Sequence, residues 1–535
     1  MKTFIKTILC LFSGIMTMGG CEKYLDVEQK GATYTSEFYK TDSDAEEAIA
    51  AVYIQLRNNY MNWFALNVFL SDDVTAGGGG RGDAGGNYER LNEYTYSPAN
   101  TTLYFVFSDL YSLMYRCNLA INNIAGETEV QRRVVAEARV ARAFANFYLV
   151  TLWGSPPLVL HELTPDEYAQ SNGDPEDFWR QIELDLTEAI NTNSLLEKTG
   201  ANDQSVGTRI TKQLAQVILG KAYLWQKEYA LAAAQFNEVI GSGLYELIPD
   251  FENICRAVQD LGPERVFEVI LVNDPDNPWQ GTNTHVLHNL LGWRGDHMNM
   301  AGYFSGSHDM HFNGWGLFNA TLDVYQAFVE MEGEDGFRLN GSLKSYQQVL
   351  DICTVPGEEL TVGSQGLYGH SGLFTWKHRL IRSEAVPHPW NMTWMTNFQY
   401  IRYAEVLLLG AEASLLSGDV TSALNHINQV RARALLDPLT SLSLEDIKKE
   451  KRLECWNEGV RYLDLQRWGD AASAMTNQGE KVPSFWGFNV DGTADSITYI
   501  YPNPNYGYKV GKHEYLPFPE REMDVNPNLE QTPGW

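Results

Sequence analysis

The sequence predicts a mainly α-helical fold in which TPR-like helical pairs form a right-handed superhelical scaffold that carries a large, irregular, loop-rich subdomain. Three observations support this expectation. Apolar residues recur with the 3.6-residue period of a helix over several long segments. One segment, 211–240, matches the TPR repeat pattern. Two other segments, 62–100 and 262–396, contain many Gly, Asp and aromatic residues and show little helical period.

The amino-terminal half contains the clearest single helices. The first of them follows Thr41, a candidate helix cap. The third ends at Gly154 and Pro156-Pro157, which cannot continue a helix. The four helices are expected over residues 45–58, 105–124, 130–153 and 178–190.

The segment 211–240 is more specific, because small residues at fixed spacing let two antiparallel helices approach closely. Gln216 stands where the TPR pattern has Trp. A second helical pair is expected over 401–434, and Ser443 is expected to cap a further helix. Five positions of the pattern are matched, by Leu219, Gly220, Tyr223, Ala232 and Phe236.

Long irregular segments on a rigid frame usually carry function. The segment 262–396 contains six of the 14 Trp residues of the chain. The carboxyl-terminal segment 479–535 is also loop-like and rich in Pro. The expected organisation is a leader over 1–20, scaffold over 21–60 and 101–250, a Gly/Asp-rich insertion over 61–100, a variable ligand-binding subdomain over 251–400, scaffold over 401–470 and a loop-rich tail over 471–535.

The amino terminus predicts export. Lys2 and Lys6 precede a short apolar run, and small residues then lead to Cys21. This arrangement resembles the lipobox of bacterial lipoproteins, with Met18 where Leu is usual, so acylation of Cys21 is favoured over a plain secretory cut. No later stretch is long and apolar enough to cross a membrane. We therefore expect a protein anchored by its lipid.

The charge excludes one class of partner. Forty basic and 68 acidic residues give a formal charge of −28, and removal of Lys2 and Lys6 with the leader leaves −30. Such a surface repels phosphate backbones, so nucleic-acid binding is not expected. The mature chain retains four widely spaced cysteines, which are interpreted as buried free thiols rather than two disulfides: Cys117, Cys255, Cys353 and Cys455.

The search for catalytic motifs is negative, and no cofactor or catalytic residue is expected. Gly77, Gly79 and Gly82 match a dinucleotide fingerprint only by letters, because the sequence pattern predicts no strand before this glycine run and no helix after it. Asp72-Asp73 is interpreted as accepting hydrogen bonds from sugar hydroxyls or as capping turns. Five histidines are interpreted as polar loop residues, ligand contacts or metal ligands: His285, His288, His297, His308 and His311.

Several motifs together resemble the SusD/RagB family, the surface nutrient-binding lipoproteins of Bacteroidetes glycan-uptake systems. The resemblance runs in order from the lipobox to the last residue. Phe518 and Thr532 stand where Ile and Asn are commoner. The motifs are Ala136-Glu137-Ala138-Arg139-x-x-Arg142-Ala143, Trp153-Gly154-x-Pro156-Pro157-Leu158, Arg402-Tyr403-Ala404-Glu405-Val406-Leu407-Leu408, Ala411-Glu412-Ala413, Asn428-x-Val430-Arg431-x-Arg433-Ala434, Glu458-Gly459-x-Arg461-x-x-Asp464-Leu465-x-Arg467-Trp468-Gly469, Leu516-Pro517-x-Pro519-x-x-Glu522, Asn526-Pro527-Asn528-Leu529 and Gln531-x-Pro533-Gly534-Trp535.

The charged motif residues are interpreted as scaffold ion pairs within packed helices, not as catalysts. The three-residue spacing of Arg461, Asp464 and Arg467 places opposite charges side by side on a helix. Further pairs are expected between Glu137 and the two arginines Arg139 and Arg142, and between Arg402 and Glu405.

The resemblance implies a four-TPR superhelix that packs against a SusC-like TonB-dependent transporter barrel in the outer membrane. It also implies a shallow oligosaccharide site in the variable loops, without hydrolysis. The RagB-like alternative carries oligopeptides, and a surface glycosidase is a further alternative. Residue types in the two loop segments indicate the ligand contacts: Trp63, Asp72, Asp73, Arg81, Asn87 and Tyr88, and then Trp293, Trp315, Trp376, Arg379 and Trp390. Each Trp is also a candidate core residue.

Overall fold

The computed structural model describes residues 38–83, 85–271, 286–297, 309–310, 314–353, 366–387, 392–394, 396–486 and 497–535. The leader, Cys21 and Trp390 lie outside the described residues, as do His285, His308 and His311. Among the described residues, no helix is long and apolar enough to cross a membrane.

Helices dominate the described chain, as the sequence predicts. We number them in chain order. They are α1 Asp42–Phe69, α2 Asn87–Asn92, α3 Thr101–Asn123, α4 Glu129–Trp153, α5 Pro175–Asn191, α6 Lys212–Trp225, α7 Tyr229–Gly241, α8 Val286–Leu291, α9 Leu322–Glu332, α10 Phe337–Ser342, α11 Tyr346–Cys353, α12 Tyr403–Ser417, α13 Val420–Arg433, α14 Leu444–Glu454, α15 Arg461–Trp468, α16 Ala471–Met475 and α17 Glu520–Val525. Short 3-10 turns occur at Pro165–Glu167, Phe251–Asn253, Ala257–Gln259 and Arg382–Glu384.

The long helices pack in succession and form one continuous scaffold. Helix α1 packs against α3, and α3 packs against α4. Helix α4 packs against α5, α5 against α6, and α6 against α7. Helix α7 then packs against α12, which also contacts α13 and α14. A Cβ atom built on Gly220 would lie 2.8 Å from the Phe236 ring, so this glycine allows the close approach of α6 and α7. The prediction of a mainly helical scaffold of paired helices is confirmed.

Helix caps lie where the sequence indicates them. The Thr41, Thr211 and Ser443 side chains each accept a hydrogen bond from a backbone N–H group in the first turn of the following helix. The first helix, however, passes the boundary expected after residue 60 and ends at Phe69. No Gly or Pro interrupts this stretch, and its later turns are buried in the core.

The strands are short. They are β1 Val74–Ala76, β2 Arg265–Val269, β3 Phe318–Ala320, β4 Leu343–Ser345, β5 Leu367–Tyr368, β6 Leu373–Thr375, β7 Ala385–Pro387, β8 Met392–Trp394, β9 Phe398–Arg402, β10 Val482–Phe485 and β11 Ile497–Ile500. Antiparallel pairs join β1 to β3, β2 to β9, β4 to β6 and β7 to β8, and a three-stranded sheet has the order β11-β10-β5.

The pairing of β2 with β9 closes the loop-rich subdomain at its base. Strand β2 begins this part of the chain and β9 leads directly into α12. We call this pair the neck. Beyond it, the subdomain has a hydrophobic cluster of its own that includes Trp293, Phe374 and Trp376.

A group of fully buried charges binds the neck to the scaffold. We call Glu264, Arg338, Arg402, Arg433, Glu454 and Glu458 the charge cluster. Arg402 is 1% exposed and contacts Glu264, Glu454 at 3.1 Å and Glu458 at 2.7 Å. Arg338 of the subdomain reaches Glu454 at 3.4 Å. Burial acts to raise the pKa of Glu454, but Arg433, Arg402 and Arg338 outweigh it and lower that pKa.

The motif charges are scaffold residues, but several partners differ from those predicted. Glu405 pairs with Lys221 at 2.8 Å, because Arg402 faces the charge cluster instead. Asp185 of α5 takes both Arg139 and Arg142, at 3.0 and 2.7 Å, since both guanidinium groups face α5.

Two further motif carboxylates, those of Glu137 and Asp464, also form ion pairs. Glu137 pairs with Arg209 at 3.1 Å and accepts a hydrogen bond from Tyr53 at 2.9 Å. The predicted pair of Asp464 and Arg467 is confirmed at 3.1 Å. Within the described chain, all four predicted free cysteines are buried and unpaired, as expected: Cys117, Cys255, Cys353 and Cys455.

In contrast to Glu454, one buried carboxyl group near the neck has a raised pKa. Burial, together with the neighbouring carboxylate of Glu268, raises the pKa of Asp260 from 3.8 to about 7. Asp260 accepts a hydrogen bond from the backbone N–H of Asn397 at 2.9 Å. The folded protein therefore holds a proton at this group at pH values where the unfolded chain has released it.

Replacing Arg402 with Met is expected to lower the free energy of unfolding by about 3–5 kcal/mol, because three buried carboxylates lose a shared cation. Urea denaturation measures this loss. Arg180→Met is the control, since the Arg180 side chain is 74% exposed and its ion pair with Asp177 contributes little. Equal losses for the two variants would contradict the structural role of the charge cluster.

The Asp260→Asn variant is expected to weaken the pH dependence of stability. The raised pKa of Asp260 makes the wild-type unfolding free energy decline as pH rises from 3.8 to about 7. The variant should therefore gain stability relative to wild type over this window, on the order of 3 kcal/mol at its upper end. Urea titrations at pH 4 to 8 test this expectation, and parallel curves for the two proteins would refute it.

Candidate functional site

A glycine-rich loop, residues 77–86, follows β1 and is held against two other segments. Gly77 donates a backbone hydrogen bond to Leu317 at 2.9 Å, and Gly78 and Tyr368 exchange backbone hydrogen bonds at 3.1 and 2.9 Å. A Cβ atom on Gly77 would lie 2.4 Å from the Tyr368 carbonyl oxygen, so only glycine permits this approach. The loop thereby positions Arg81 and Asp83 at the surface.

Arg81 occupies a half-exposed position beside this loop. Its guanidinium group pairs with the buried carboxylate of Glu93 and donates a hydrogen bond to the Tyr368 hydroxyl at 2.8 Å. The hydrogen bond with Glu93 raises the pKa of Arg81, so the side chain keeps its positive charge. Glu93 thus fixes a cation whose side chain remains 40% exposed.

Arg294 joins the glycine-rich loop to a second turn. It donates hydrogen bonds to Asp83 at 2.9 Å and to both carboxylate oxygens of Asp296 at 3.0 and 2.9 Å. Burial acts to raise the pKa of Asp296, but the hydrogen bond from Arg294 outweighs it and lowers that pKa. Asp83 also accepts a hydrogen bond from the Gly79 backbone at 2.6 Å.

A chain of contacts continues from Arg294 to an exposed indole ring. The Arg294 guanidinium lies 3.2 Å from Nε2 of His297, and Nδ1 of His297 lies 2.9 Å from the Gly366 carbonyl oxygen. A Cβ atom on Gly366 would lie 2.6 Å from the Trp486 ring. Trp486 donates a hydrogen bond from Nε1 to Thr498 at 3.2 Å and is 51% exposed.

Trp315 is 41% exposed and directly precedes Gly316, which packs against Arg294. Its backbone N–H donates to the Asn289 carbonyl at 2.6 Å, and the next residue, Gly316, donates to Gly292 at 2.7 Å. A Cβ atom on Gly316 would lie 3.0 Å from Cγ of Arg294, so the residue after Trp315 is packed against the Arg294 side chain.

We call these residues the aromatic rim: Arg81, Asp83, Arg294, Asp296, Trp315 and Trp486. The rim combines two exposed indole rings with charged groups fixed by ion pairs, drawn from parts of the chain that are far apart in sequence. Indole faces stack on flat apolar surfaces, and the charged groups offer hydrogen bonds beside them. In the described parts of the chain, no three His, Cys, Asp or Glu residues are grouped to hold a metal ion.

Of the predicted contact residues that the structure describes, only Arg81 and Trp315 belong to the rim. Trp63 is 1% exposed and packs on Tyr148 and Tyr400 at ring distances of 5.3 and 4.9 Å. Helix α1 runs past its predicted end and places the Trp63 ring in the core instead of at the aromatic rim.

The Asp72-Asp73 pair is also structural. Arg461 donates to both oxygens of Asp72 at 2.9 Å, and Arg452 contacts Asp73 at 2.6 Å. Asp73 is fully buried. These carboxylates anchor the end of α1 to α14 and α15, so neither is free for a ligand hydroxyl.

Three of the predicted contacts in the second loop segment lie in the subdomain core. Trp293 and Trp376 are each 5% exposed, and their rings stack at 6.0 Å. Trp293 donates to the Thr375 carbonyl at 3.2 Å, while Trp376 donates to Glu252 at 2.8 Å. Arg379 is buried against the Trp376 ring, and burial lowers its pKa to about 10. The structure therefore places all three side chains in the core of the subdomain and not at the aromatic rim.

Asn87 and Tyr88 lie beside the glycine-rich loop but face the scaffold. The Asn87 side chain donates to Thr101 at 2.8 Å, and the Tyr88 ring stacks on Phe69 at 4.8 Å. Both contacts hold α2 against neighbouring helices. The structure therefore does not bring these two side chains to the rim.

Four residues of the rim are not indicated as ligand contacts by the sequence: Asp83, Arg294, Asp296 and Trp486. Asp83 follows Arg81 closely, and this proximity was the one available signal. Arg294 and Asp296 precede His297, which was interpreted only as part of a histidine-rich loop. Trp486 lies in the tail, 120 residues beyond Gly366, and no local pattern connects the two.

Comparisons with known proteins agree with this architecture. A model of the SusD family matches residues 376–535. A SusD-like protein of Bacteroides ovatus is 24% identical, and the alignment covers 100% of this chain and 99% of that protein. The solved structure of a laminarin-binding SusD-like protein is 26% identical, with a TM-score of 0.74 over 93% of this chain and all of that chain.

A second solved structure, a surface glycan-binding protein A from Bacteroides thetaiotaomicron in complex with laminarihexaose, shares the fold with a TM-score of 0.71 at 22% identity. It covers 92% of this chain and 99% of its own. The matching segment 376–535 includes Arg402 and the motif residues of α12 to α15. The family-model match over residues 376–535, the full-length relatives and the shared fold together show that this chain is similar to SusD/RagB-family proteins in sequence and in structure.

Proposed function

We propose that this protein is a non-catalytic subunit that captures glycans at the cell surface and binds them at the aromatic rim. The observation that carries the proposal is that two exposed indole rings, Trp315 and Trp486, are both connected through packed glycines to the residues around Arg294. The glycan ligands named for two solved structures of the same fold support the same ligand class.

The chemistry of the rim suits a sugar. A pyranose ring has an apolar face that stacks on indole, and its hydroxyl groups both donate and accept hydrogen bonds. Asp83 and Asp296 provide acceptors, while Arg81 provides a donor on a half-exposed side chain. The ion pairs with Arg294 and Glu93 hold these groups in place before a ligand arrives, which lowers the entropic cost of binding.

The same geometry favours binding over hydrolysis. A glycosidase needs two carboxyl groups across the scissile bond, one of which holds a proton at working pH. In the rim, Asp83 and Asp296 both pair with Arg294, and the pKa of Asp296 is lowered. Asp296 is therefore poorly suited to act as a general acid.

Delivery to a transporter completes the proposal. The lipobox-like sequence before Cys21 supports a lipid anchor on the outer membrane, and the family resemblance supports a SusC-like TonB-dependent barrel as partner. The helical scaffold provides a rigid body for that contact. The rim draws Arg294, Asp296 and Trp315 from the subdomain between β2 and β9, and its other three residues from segments outside that subdomain.

Replacing Trp315 with Ala is expected to weaken glycan binding at least about tenfold, because the main stacking surface is lost. Affinity electrophoresis in gels that contain laminarin, amylopectin, xyloglucan or galactomannan identifies the ligand, and calorimetry measures the change. Tyr515→Ala is the matched control, since Tyr515 is 42% exposed and lies against Gly154.

Two results would contradict the proposal for the rim. One is glycan binding that is equally strong in wild type and Trp315→Ala. The other is retention of oligopeptides with no retention by any polysaccharide, which would instead support the RagB-like alternative.

Replacing Cys21 with Ser is expected to abolish acylation, because the thiol is the group that carries the lipid. Incorporation of labelled palmitate in a bacterial host that processes lipoproteins measures this loss. Cys10→Ser is the control, since Cys10 lies within the leader. Labelled Cys21→Ser protein would show that the lipid is not at this position.

A further inference from the structure

A second concave surface lies between α3, the segment 157–170 and α17. It has a volume of about 460 Å³. Three tyrosines line it, Tyr111 and Tyr115 from α3 and Tyr168 from the segment that follows α4. We call it the tyrosine groove, and none of its lining residues belongs to the aromatic rim.

The tyrosine rings are presented to solvent on an apolar floor. Tyr115 is 50% exposed and Tyr168 is 65% exposed. The Tyr111 hydroxyl donates a hydrogen bond to the Pro157 carbonyl at 2.6 Å, which fixes this ring at the wall of the groove. Phe107, Pro157, Val159, Leu163 and Leu529 form the apolar lining.

The groove also contains two opposite charges that lack ion-pair partners. Among the described residues, none forms an ion pair with the Arg116 guanidinium or the Glu522 carboxylate, although both line the groove. Partial burial raises the pKa of Glu522. Asn526, which directly follows α17, donates a hydrogen bond to the Gln170 carbonyl at 2.7 Å and so ties the two walls together.

The apolar lining, the exposed phenol rings and the two charges together determine which class of ligand the groove can bind. A purely apolar occupant would remove water from Arg116 and Glu522 without replacing its hydrogen bonds, which is costly. A phosphate-rich ligand would meet the strongly negative surface of the protein. Hydroxyl groups satisfy both charges, because one hydroxyl accepts from a guanidinium while another donates to a carboxylate. Phenol rings provide stacking surfaces for the apolar faces of sugar rings.

We propose that the tyrosine groove is a second saccharide-binding site, which holds a short neutral oligosaccharide between Tyr115 and Tyr168 with Arg116 and Glu522 on its hydroxyl groups. The inference rests on the proposed function only in its ligand class, because the groove shares no residue with the rim. Two sites on one anchored protein retain a polysaccharide chain better than either alone, since the second contact forms at high effective concentration.

The test uses the full mature chain and four probes: laminarihexaose, maltohexaose, cellohexaose and mannohexaose. Calorimetry and native mass spectrometry determine affinity and the number of bound oligosaccharides. Tyr115→Ala is expected to weaken groove binding at least about tenfold and to reduce the number of occupied sites by one. Phe105→Ala is the matched control, because Phe105 is 47% exposed on the same helix and does not line the groove.

A second measurement removes any ambiguity from misfolding. Hydrogen exchange of peptides over residues 104–117 is followed in the Trp315→Ala variant with and without the bound hexaose, and Tyr168→Ala serves as an independent variant. Protection of this peptide that disappears in Tyr168→Ala supports the inference. The absence of protection overturns it, as does unchanged stoichiometry in Tyr115→Ala.

The outcomes separate the two proposals. If binding is lost in Trp315→Ala and unchanged in Tyr115→Ala, the proposed saccharide site in the tyrosine groove is contradicted and the aromatic rim is supported. Binding retained in Trp315→Ala but lost in Tyr115→Ala supports the groove and overturns the rim. If no hexaose binds any of these proteins and no peptide is protected, both proposals fail.

Discussion

The structure depends on one buried electrostatic constraint, the contact of Arg402 with Glu264, Glu454 and Glu458. A guanidinium group deprived of water is stable only when carboxylates surround it in good geometry. Arg402 ends β9 and directly precedes α12, while Glu264 directly precedes β2. The same group of charges therefore fixes both ends of the loop-rich subdomain and the helix that continues the scaffold. Arg338, from within the subdomain, adds a third point of attachment.

The aromatic rim is a consequence of this fixed orientation. Strand β3 of the subdomain pairs with β1, which follows the first scaffold helix, and Gly78 bridges to Tyr368. These contacts require the neck to hold the subdomain at a set distance from α1. Arg294 then meets Asp83 across that junction at 2.9 Å. The rim is thus an interface feature that neither part of the chain forms alone.

The scaffold could be predicted from the sequence because helices, their caps and their close approaches depend on residues near one another in the chain. The rim could not, since each contact joins distant segments. Trp63 and Trp315 are both tryptophans beside loop-rich segments. Trp63 is nevertheless buried, because α1 extends past its predicted end, whereas Trp315 is exposed. Asp72 has a partner, Arg461, that lies 389 residues later in the chain. Local composition carries no information about such a pairing.

The neck has a further consequence for how proteins of this architecture diversify. Because β2 and β9 lie side by side, the chain leaves and re-enters the helical frame at a single place. A change between β2 and β9 leaves the packing of the flanking helices in place as long as two buried ion pairs are kept. These pairs join Arg338 to Glu454 and Lys377 to Glu458. The segment beyond the neck can therefore vary in length and composition while the helices that carry it keep their packing.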